Sequence, residues 1–175
     1  MATRNSSTLT LTLPSDREIV MARLFDAPRS LVFDAFTKPE HLVRWFGQPP
    51  ERSERGRLSG WTMPVCEVDL RPGGAWRYLP RGPDGAEMGM SGVYREIVPP
   101  ERLVHTEIFD ESYFEAMGGG TLNTLILGEH ASKTTMTATI LYESRAARDA
   151  AIQTPMEEGA AEGFDRLAEL LETLL

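Results

Sequence analysis

A succession of short alternating segments, joined by only a few residues each, occupies the chain between residues 63 and 142. Within each segment apolar side chains tend to recur at every second position, which is the period of a β-strand. Connections this short join antiparallel strands, because a parallel pair needs a crossover of about a dozen residues or more. The pattern therefore predicts an antiparallel meander, whose strands read VCEVDL, AWRYL, MGMSGVYREI, RLVHTEIF, TLNTLIL and TTMTATILY.

One long helix follows the meander. From Thr154 the sequence reads TPME, which predicts a capping box with a proline in the first helical turn. Small and apolar side chains then recur at steps of three and four, as one face of a helix requires. They are Met156, Ala160, Gly163, Phe164, Leu167, Leu171 and Leu174. Six acidic residues and one base, Arg166, share this segment, so we predict a solvated acidic face opposite the apolar stripe.

An arm, one strand and two short helices are predicted before the meander. Residues 1–15 form a loose arm, although the alternation in TLTLTLP allows an edge strand there. A strand covers residues 17–25, and SLVFDAF forms the first short helix. The second short helix reads TKPEHLVRWFG, with Thr37 and Glu40 as a capping box. Residues 16–175 then form a single domain, since 41% of the 175 residues are hydrophobic and suffice for one core.

These elements predict an α+β fold, in which a curved antiparallel sheet of about six to seven strands wraps around the C-terminal helix. The helix lays its apolar stripe on the sheet, since neither element buries that surface alone. A strongly twisted sheet does not contact one straight helix along its whole concave side. We therefore expect a hollow between the sheet and the helix, closed at one end by the two short helices.

Charge and composition exclude several classes of function. The formal net charge of −8 argues against a nucleic-acid-binding protein. No apolar run approaches the roughly 20 residues of a membrane span, and the N-terminus lacks the apolar core of a secretory signal, so we expect a cytoplasmic protein. The only cysteine, Cys66, has no partner for an intramolecular disulfide. The histidines His41, His105 and His130 show no metal-ligand spacing, and we expect neither a metal nor a cofactor.

Four segments, in this order, resemble one known superfamily. They read REIVMARLFDAPRSLVFDAFTKPEHLVRWFG, VDLRPGGAWRY, GVYREIVPPERLVHTE and GFDRLAELLETLL, and the likeness covers residues 16 to 175. They are similar to the SRPBCC (START-like) superfamily, in the branch named for the activator of the heat-shock-protein ATPase. The resemblance implies a helix-grip fold, whose members commonly hold hydrophobic ligands between the sheet and the C-terminal helix.

The resemblance implies more than one function, because members of the superfamily include lipid carriers, polyketide cyclases, antibiotic-resistance proteins and chaperone activators. The chain also departs from the pattern of its relatives at one position. Relatives often carry a large residue, commonly Trp, after the glycine that corresponds to Gly159, whereas this chain has Ala160. The smaller side chain would leave room over the sheet.

Large apolar and aromatic side chains are the candidates for lining the hollow, because ligand sites are usually apolar with a few polar groups for orientation. We expect Tyr78, Tyr94 and His105 to supply the polar groups. Of the adjacent pair Trp45 and Phe46, one would anchor the second short helix and the other would border the opening. The predicted lining residues are Trp45, Phe46, Trp76, Tyr78, Met88, Met90, Phe109, Met136, Met156, Ala160 and Phe164, with Phe114 adding bulk. An ordinary filled core explains the methionines equally well.

The strongest catalytic candidates are His105 and Glu107, with Tyr78 as a third. The first two lie two residues apart on a strand and share a face. On the concave face they would act as general acid and base on a bound polyketide or similar carbonyl compound. However, the alternate positions Val104 and Ile108 are apolar, so the alternation favours the convex, exposed face for His105 and Glu107.

A second pair of acids, Glu67 and Asp69, also shares a strand face, opposite Cys66. The same alternation favours a solvent face for this pair over a catalytic carboxylate dyad. Cys66 itself is interpreted as a small buried hydrophobe, because no base is tied to it by sequence.

Three functions remain open. The first is a binding domain that sequesters, transports or senses a hydrophobic or aromatic small molecule, and the lack of a catalytic motif favours it. The second is an enzyme of the cyclase or hydrolase kind, acting in the same cavity. The third is a chaperone-activator-like role in the stress response, through the acidic helix or the outer sheet. Exposed strand edges would also allow a homodimer.

Overall fold

The computed structural model describes residues 8–47, 60–110 and 119–175, and over these residues the chain forms one sheet and four helices. The strands are β1 (Thr10–Thr12), β2 (Glu18–Phe25), β3 (Thr62–Val68), β4 (Ala75–Arg81), β5 (Met90–Val98), β6 (Arg102–Phe109), β7 (Thr121–His130) and β8 (Lys133–Tyr142). The helices are α1 (Arg29–Thr37), α2 (Pro39–Trp45), α3 (Arg145–Ile152) and α4 (Met156–Leu174). Phe114 lies outside the described residues.

The eight strands lie in the order β1-β2-β8-β7-β6-β5-β4-β3, and each neighbouring pair is antiparallel. The meander from β3 to β8 is continuous, and β2 joins the sheet beside β8. The sheet is curved and not closed, and α4 packs on its concave side. The predicted α+β helix-grip fold is therefore confirmed, as are the two short helices after the first long strand.

The N-terminal arm supplies an additional edge strand, which brings the sheet to eight strands instead of six or seven. Thr10 in β1 pairs with Ala22 in β2, and Thr12 pairs with Val20. The alternation in TLTLTLP thus forms the strand that the sequence allowed. The other edge of the sheet is β3.

Both predicted capping boxes are wrong. The hydroxyl of Thr37 donates to the Phe33 carbonyl at 2.8 Å, and that of Thr154 donates to the Ala151 carbonyl at 2.6 Å. Each threonine belongs to the end of the preceding helix, so its hydroxyl is used by that helix and caps nothing downstream. The N-terminus that does carry a side-chain cap is that of α3, where the Ser144 hydroxyl oxygen accepts from the backbone N–H of Ala147.

The main core lies between the C-terminal part of α4, the helix α1 and the concave face of the sheet. Its fully buried members include Val32, Leu127, Met136 and Leu167. A smaller cluster, with Ile19, Tyr142, Ala147 and Ala151 among its members, packs α3 against the same sheet. Among the described residues, no helix has the length and apolar character that a membrane crossing requires.

Candidate functional site

The N-terminal half of α4 faces the sheet with small residues. Gly159, Ala160 and Gly163 all border open space on this face. A Cβ atom placed on Gly159 would meet no atom within 4 Å, and one on Gly163 would meet only Trp45 Cζ3, at 3.9 Å. The space that larger side chains would fill is a cavity of about 1000 Å³. This volume lies at the upper end of the range typical for small-molecule pockets.

One side of the cavity is an aromatic wall. Its rings belong to Trp45, Phe46, Trp76, Tyr78 and Phe164. The Trp45 indole is buried, donates its Nε1–H to the Ala35 carbonyl at 2.9 Å, and stacks on Phe164 with 6.1 Å between ring centroids. Phe46 is half-buried, and its ring centroid lies 6.0 Å from that of Tyr78. Trp45 is therefore the member of the pair that anchors α2, and Phe46 is the more accessible one.

The other side is a polar wall, built from β5 to β8. Its polar side chains include Tyr94, His105, Glu107, Thr121, Asn123 and Tyr142. His105 and Glu107 thus line the concave side, and the expectation that they lie on the convex face is wrong. The neighbour Val104 does not line the cavity. The alternation misled because this part of the inner face borders a hollow, where polar side chains are tolerated, and not a packed core.

Glu107 is held in place by the neighbouring strand. Burial raises the pKa of its carboxyl from 4.5 to about 7, against the effect of a hydrogen bond from Asn123, which lowers this pKa. The Asn123 Oδ1 atom accepts from the Thr121 hydroxyl at 2.9 Å, so the amide oxygen is used and the amide nitrogen is the atom available to donate to the carboxyl. Thr121 lies directly opposite Glu107 in the pairing of β6 with β7. The carboxyl is therefore about half-ionised at neutral pH.

His105 is enclosed by aromatic rings. Its ring meets those of Trp76 and Tyr94 edge to face, with centroids 5.3 and 6.2 Å apart. The Nδ1 atom lies 3.2 Å from the Thr106 carbonyl oxygen. A carbonyl oxygen only accepts, so Nδ1 carries the proton and Nε2 is the acceptor of the neutral ring. Burial lowers the pKa of His105, which keeps the ring neutral at pH 7.

Three tyrosines complete the polar groups of the cavity. Burial raises the pKa of Tyr94 and of Tyr142 to about 12, and raises that of Tyr78 well above its usual value. The hydroxyls of Tyr78 and Tyr94 are hydrogen-bonded to each other. Tyr142 lies opposite Thr121 in the pairing of β7 with β8. All three hydroxyls are therefore protonated at neutral pH and act as donors or acceptors without charge.

The structure brings the predicted lining residues together around this cavity, with the exception of Met136. Met136 is fully buried in the main core, to which Leu167 and Leu127 also belong. Its strand points it to the same face as the cavity residues, but farther along the helix, where no space is left. Methionine fills a packed core as readily as it lines a pocket.

The remaining sequence candidates do not line the cavity. Glu67 and Asp69 are exposed, and Asp69 forms an ion pair with Arg71 at 2.9 Å. Burial raises the pKa of the Cys66 thiol to about 11, so the reactive thiolate is scarce at neutral pH. Within the described ranges, no three His, Cys, Asp or Glu side chains come together as a metal site requires.

Sequence reasoning missed Thr121, Asn123 and Tyr142. In TLNTLIL the apolar Leu122 and the polar Asn123 compete for the inside, and hydropathy favours the leucine. Leu122 is in fact 37% exposed, whereas Asn123 lines the cavity opposite His105. Only the strand register reveals this face. The signal that was present in the sequence is the set of small residues on the helix stripe, which indicates where the hollow lies.

Known proteins share both the sequence pattern and the fold. The family model described as Activator of Hsp90 ATPase homolog 1-like protein matches residues 26–172. A solved structure from Rhodobacter sphaeroides is 28% identical with a TM-score of 0.82, covering 95% of this chain and 99% of that one. A protein from Staphylococcus epidermidis is 26% identical with a TM-score of 0.71, covering 95% of each chain.

A protein from Arthrobacter aurescens is 22% identical with a TM-score of 0.78, covering 94% of this chain and 91% of that one. At this identity the likeness shows the fold alone. No curated protein matches the sequence.

Proposed function

The chain belongs to the family of Activator of Hsp90 ATPase homolog 1-like proteins, and from this premise we propose that it binds a hydrophobic or aromatic small molecule between α4 and the sheet. The fold of this family is typically that of a ligand-binding domain. The ligand would be sequestered, transported or sensed. The observation that carries the proposal is the cavity of about 1000 Å³, with an aromatic wall facing a polar one.

The shape and chemistry of the cavity support a ligand with an apolar body and one polar end. Apolar surface that leaves water for an aromatic-lined hollow gains free energy in proportion to its area. The aromatic wall offers that surface, and the ring centroids of Trp76 and Tyr78 lie only 4.6 Å apart. The polar wall offers a small number of fixed hydrogen-bonding groups, which orient a ligand without dominating its affinity.

The first test is native mass spectrometry of the purified protein, followed by a thermal-shift screen of hydrophobic and aromatic compounds. A binding domain should retain a bound mass or show a melting temperature that rises with ligand concentration. Ala160→Trp should abolish the shift, because the indole would occupy the hollow. Glu158→Trp, at an exposed position of the same helix, is the matched control and should keep the shift. A shift that survives Ala160→Trp, or no bound species at all, contradicts the proposal.

An enzyme of the cyclase or hydrolase kind is the second candidate, and it is favoured by the inward orientation of His105 and Glu107. The Nε2 atom of the neutral histidine would act as general base on a bound carbonyl compound. Glu107, whose pKa is raised to about 7, would donate or accept the second proton near neutral pH. His105→Ala should then abolish turnover of a polyketide-type substrate while leaving its binding intact. Turnover that persists in this variant would contradict the enzymatic role.

A chaperone-activating role is a third candidate, which follows from the family description and from the exposed acids of α4. Glu157, Glu158, Glu169 and Glu172 are exposed on the outer face of this helix. Reversing these four charges to Lys should abolish capture of the heat-shock ATPase in a pull-down, if this surface is the contact. Capture that is unchanged by the reversal would remove the helix from consideration.

A further inference from the structure

The polar wall of the cavity is rich in hydrogen-bond acceptors and carries no cation among the described residues. The charged side chains that line the cavity are Glu107 and Asp110. Asp110 is exposed and already forms an ion pair with Arg77 at 2.8 Å. Glu107, by contrast, has no Lys or Arg beside it in the described part of the chain, and only the Asn123 amide donates to it.

Three donors of the polar wall are used within the protein. Thr121 donates to Asn123, and the Asn123 amide in turn donates to Glu107. The Nδ1–H group of His105 is directed to the Thr106 carbonyl. The hydroxyls of Tyr78, Tyr94 and Tyr142 can donate or accept, whereas the ionised carboxyl of Glu107 and the Nε2 atom of His105 can only accept. A bound ligand would shield these acceptors from water, so a ligand that brings a donor is favoured over one that does not.

Resting on the proposed function, we propose that the cavity selects an amine on an aromatic or apolar body, and that the amine nitrogen donates to the carboxylate of Glu107. A nitrogen that carries a positive charge would also supply a counter-ion, which Glu107 does not have among the described residues. The aromatic wall would hold the body of the ligand, and the rings of Trp76 and Tyr94, which flank His105, would border its nitrogen.

The same argument excludes fatty acids and other carboxylates as preferred ligands. Two carboxylates brought together in a low-dielectric site do not both stay ionised, and one of them must take up a proton. The other titratable groups of the wall do not relieve this repulsion. His105 is neutral at pH 7, and Tyr78, Tyr94 and Tyr142 carry no positive charge in any protonation state.

Three probes of one shape test the proposal: 2-naphthylmethylamine, 2-naphthylmethanol and 2-naphthoic acid. Their dissociation constants are measured by calorimetry at about pH 8, where Glu107 is ionised and the amine is still largely protonated. The amine should bind at least about tenfold more tightly than the alcohol, and the acid should bind most weakly. Glu107→Gln should weaken the binding of the amine, so that its dissociation constant becomes equal to that of the alcohol. Glu96→Gln, the same change at an exposed acid that does not line the cavity, should leave the preference intact.

A second measurement uses the wild-type protein alone. At about pH 7 the binding of a charged amine favours the ionised form of Glu107, so protons should be released. Calorimetry in two buffers of different ionisation enthalpy detects this release, which the alcohol should not produce.

The possible results separate the two proposals. If the alcohol binds as tightly as the amine, or the preference survives Glu107→Gln, the amine selectivity is overturned while the binding function stands. If the acid binds most tightly, the selectivity is likewise overturned, and a cation must reach the site from elsewhere in the chain. If none of the three probes binds at any concentration tested, the binding function fails for aromatic ligands of this size and the selectivity fails with it.

Discussion

The two halves of α4 lie over the same sheet, but one half is packed in the main core and the other borders the cavity. We call residues 165–174 the filled half, because Leu167, Leu170 and Leu171 are buried there in the main core, and Phe164, which lines the cavity, marks the boundary. We call residues 156–163 the hollow half, because Gly159, Ala160 and Gly163 face open space. Both halves belong to one uninterrupted helix of 19 residues. The small side chains of the hollow half therefore leave open the space that large side chains occupy in the filled half.

The polarity of the sheet changes together with the volume of the helix residues. Opposite the filled half the sheet presents Leu127 and Met136, which are buried among apolar neighbours. Around the hollow half it presents His105, Glu107 and Asn123. Glu107 is half-buried and has no Lys or Arg beside it in the described part of the chain, which a packed core would not tolerate, so its presence around the same cavity as the small helix residues indicates that this end of the interface is open.

The largest loss of stability should come from truncating a large side chain in the filled half. Leu167 is fully buried, and Leu167→Ala removes its contacts and leaves a void, which should lower the free energy of unfolding by about 2 to 5 kcal/mol. Urea denaturation followed by circular dichroism measures the change. The matched control is Glu169→Ala on the exposed face of the same helix, which should stay within about 0.5 kcal/mol. A loss for Leu167→Ala as small as that of the control would show that this half is not packed.

The polar residues around the hollow half should make the free energy of unfolding depend on pH. Burial raises the folded-state pKa of Glu107 from 4.5 to about 7, so between these pH values the unfolded chain gives up a proton that the folded one keeps. The contribution of Glu107 is complete below the lower value and is lost as pH rises through the upper one. The free energy of unfolding should therefore fall by about 3 kcal/mol over this range. Glu107→Gln should remove that fall.

His105 acts in the opposite direction and must be separated from Glu107. Burial lowers its folded-state pKa below 6.5, so the unfolded chain takes up a proton first as the pH falls. Stability from His105 is thus present above the unfolded pKa and declines towards acid. Denaturation curves of His105→Gln should show a steeper fall with rising pH than those of the wild type. If Glu107→Gln leaves the profile unchanged, the carboxyl is solvated and the contrast between the two halves weakens.

The sequence predicts the elements well because each of them carries its own period. The strands β3 to β8 and the helix α4 follow from alternation and from three- and four-residue spacing, with no knowledge of the rest of the chain. The inward face of β6 does not follow from alternation. Hydropathy predicts that Val104 faces inward and His105 outward, whereas beside the hollow the polar His105 is the inward residue. Asn123 reaches Glu107 only through the pairing of β6 with β7, which local pattern does not fix.

Packing against a distant element also decides whether an inward residue lines the site. Met90 and Met136 are both inward methionines on strands, and the sequence treats them alike. Met90 lines the cavity, whereas Met136 is buried in the main core to which Leu167 also belongs. The capping boxes predicted at Thr37 and Thr154 are likewise wrong because of a neighbouring element. Each hydroxyl donates to a carbonyl of the helix that precedes it.

Substitutions in the aromatic pair at the end of α2 should change the free energy of unfolding by an intermediate amount. Trp45→Phe removes the indole N–H that donates to the buried carbonyl of Ala35, and should lower the free energy of unfolding by about 1 to 2 kcal/mol. Phe46→Leu keeps an apolar side chain at the half-buried position and should cost less than about 1 kcal/mol. Thermal and urea denaturation of the two variants give the comparison. Equal losses would mean that Phe46 is as firmly packed as Trp45.

The smallest effect should come from trimming the hollow half. Met156 is half-buried and borders the cavity, so part of its surface has no partner atoms in the unliganded protein. Met156→Ala gives up only the remaining contacts and gains slightly in helix propensity, and it should cost about 1 kcal/mol or less. The same change in the presence of a bound probe should cost more, because the ligand supplies the missing partners. If Met156→Ala instead costs as much as Leu167→Ala without any ligand, the helix is packed along its whole length in solution, and volume alone does not divide its two halves.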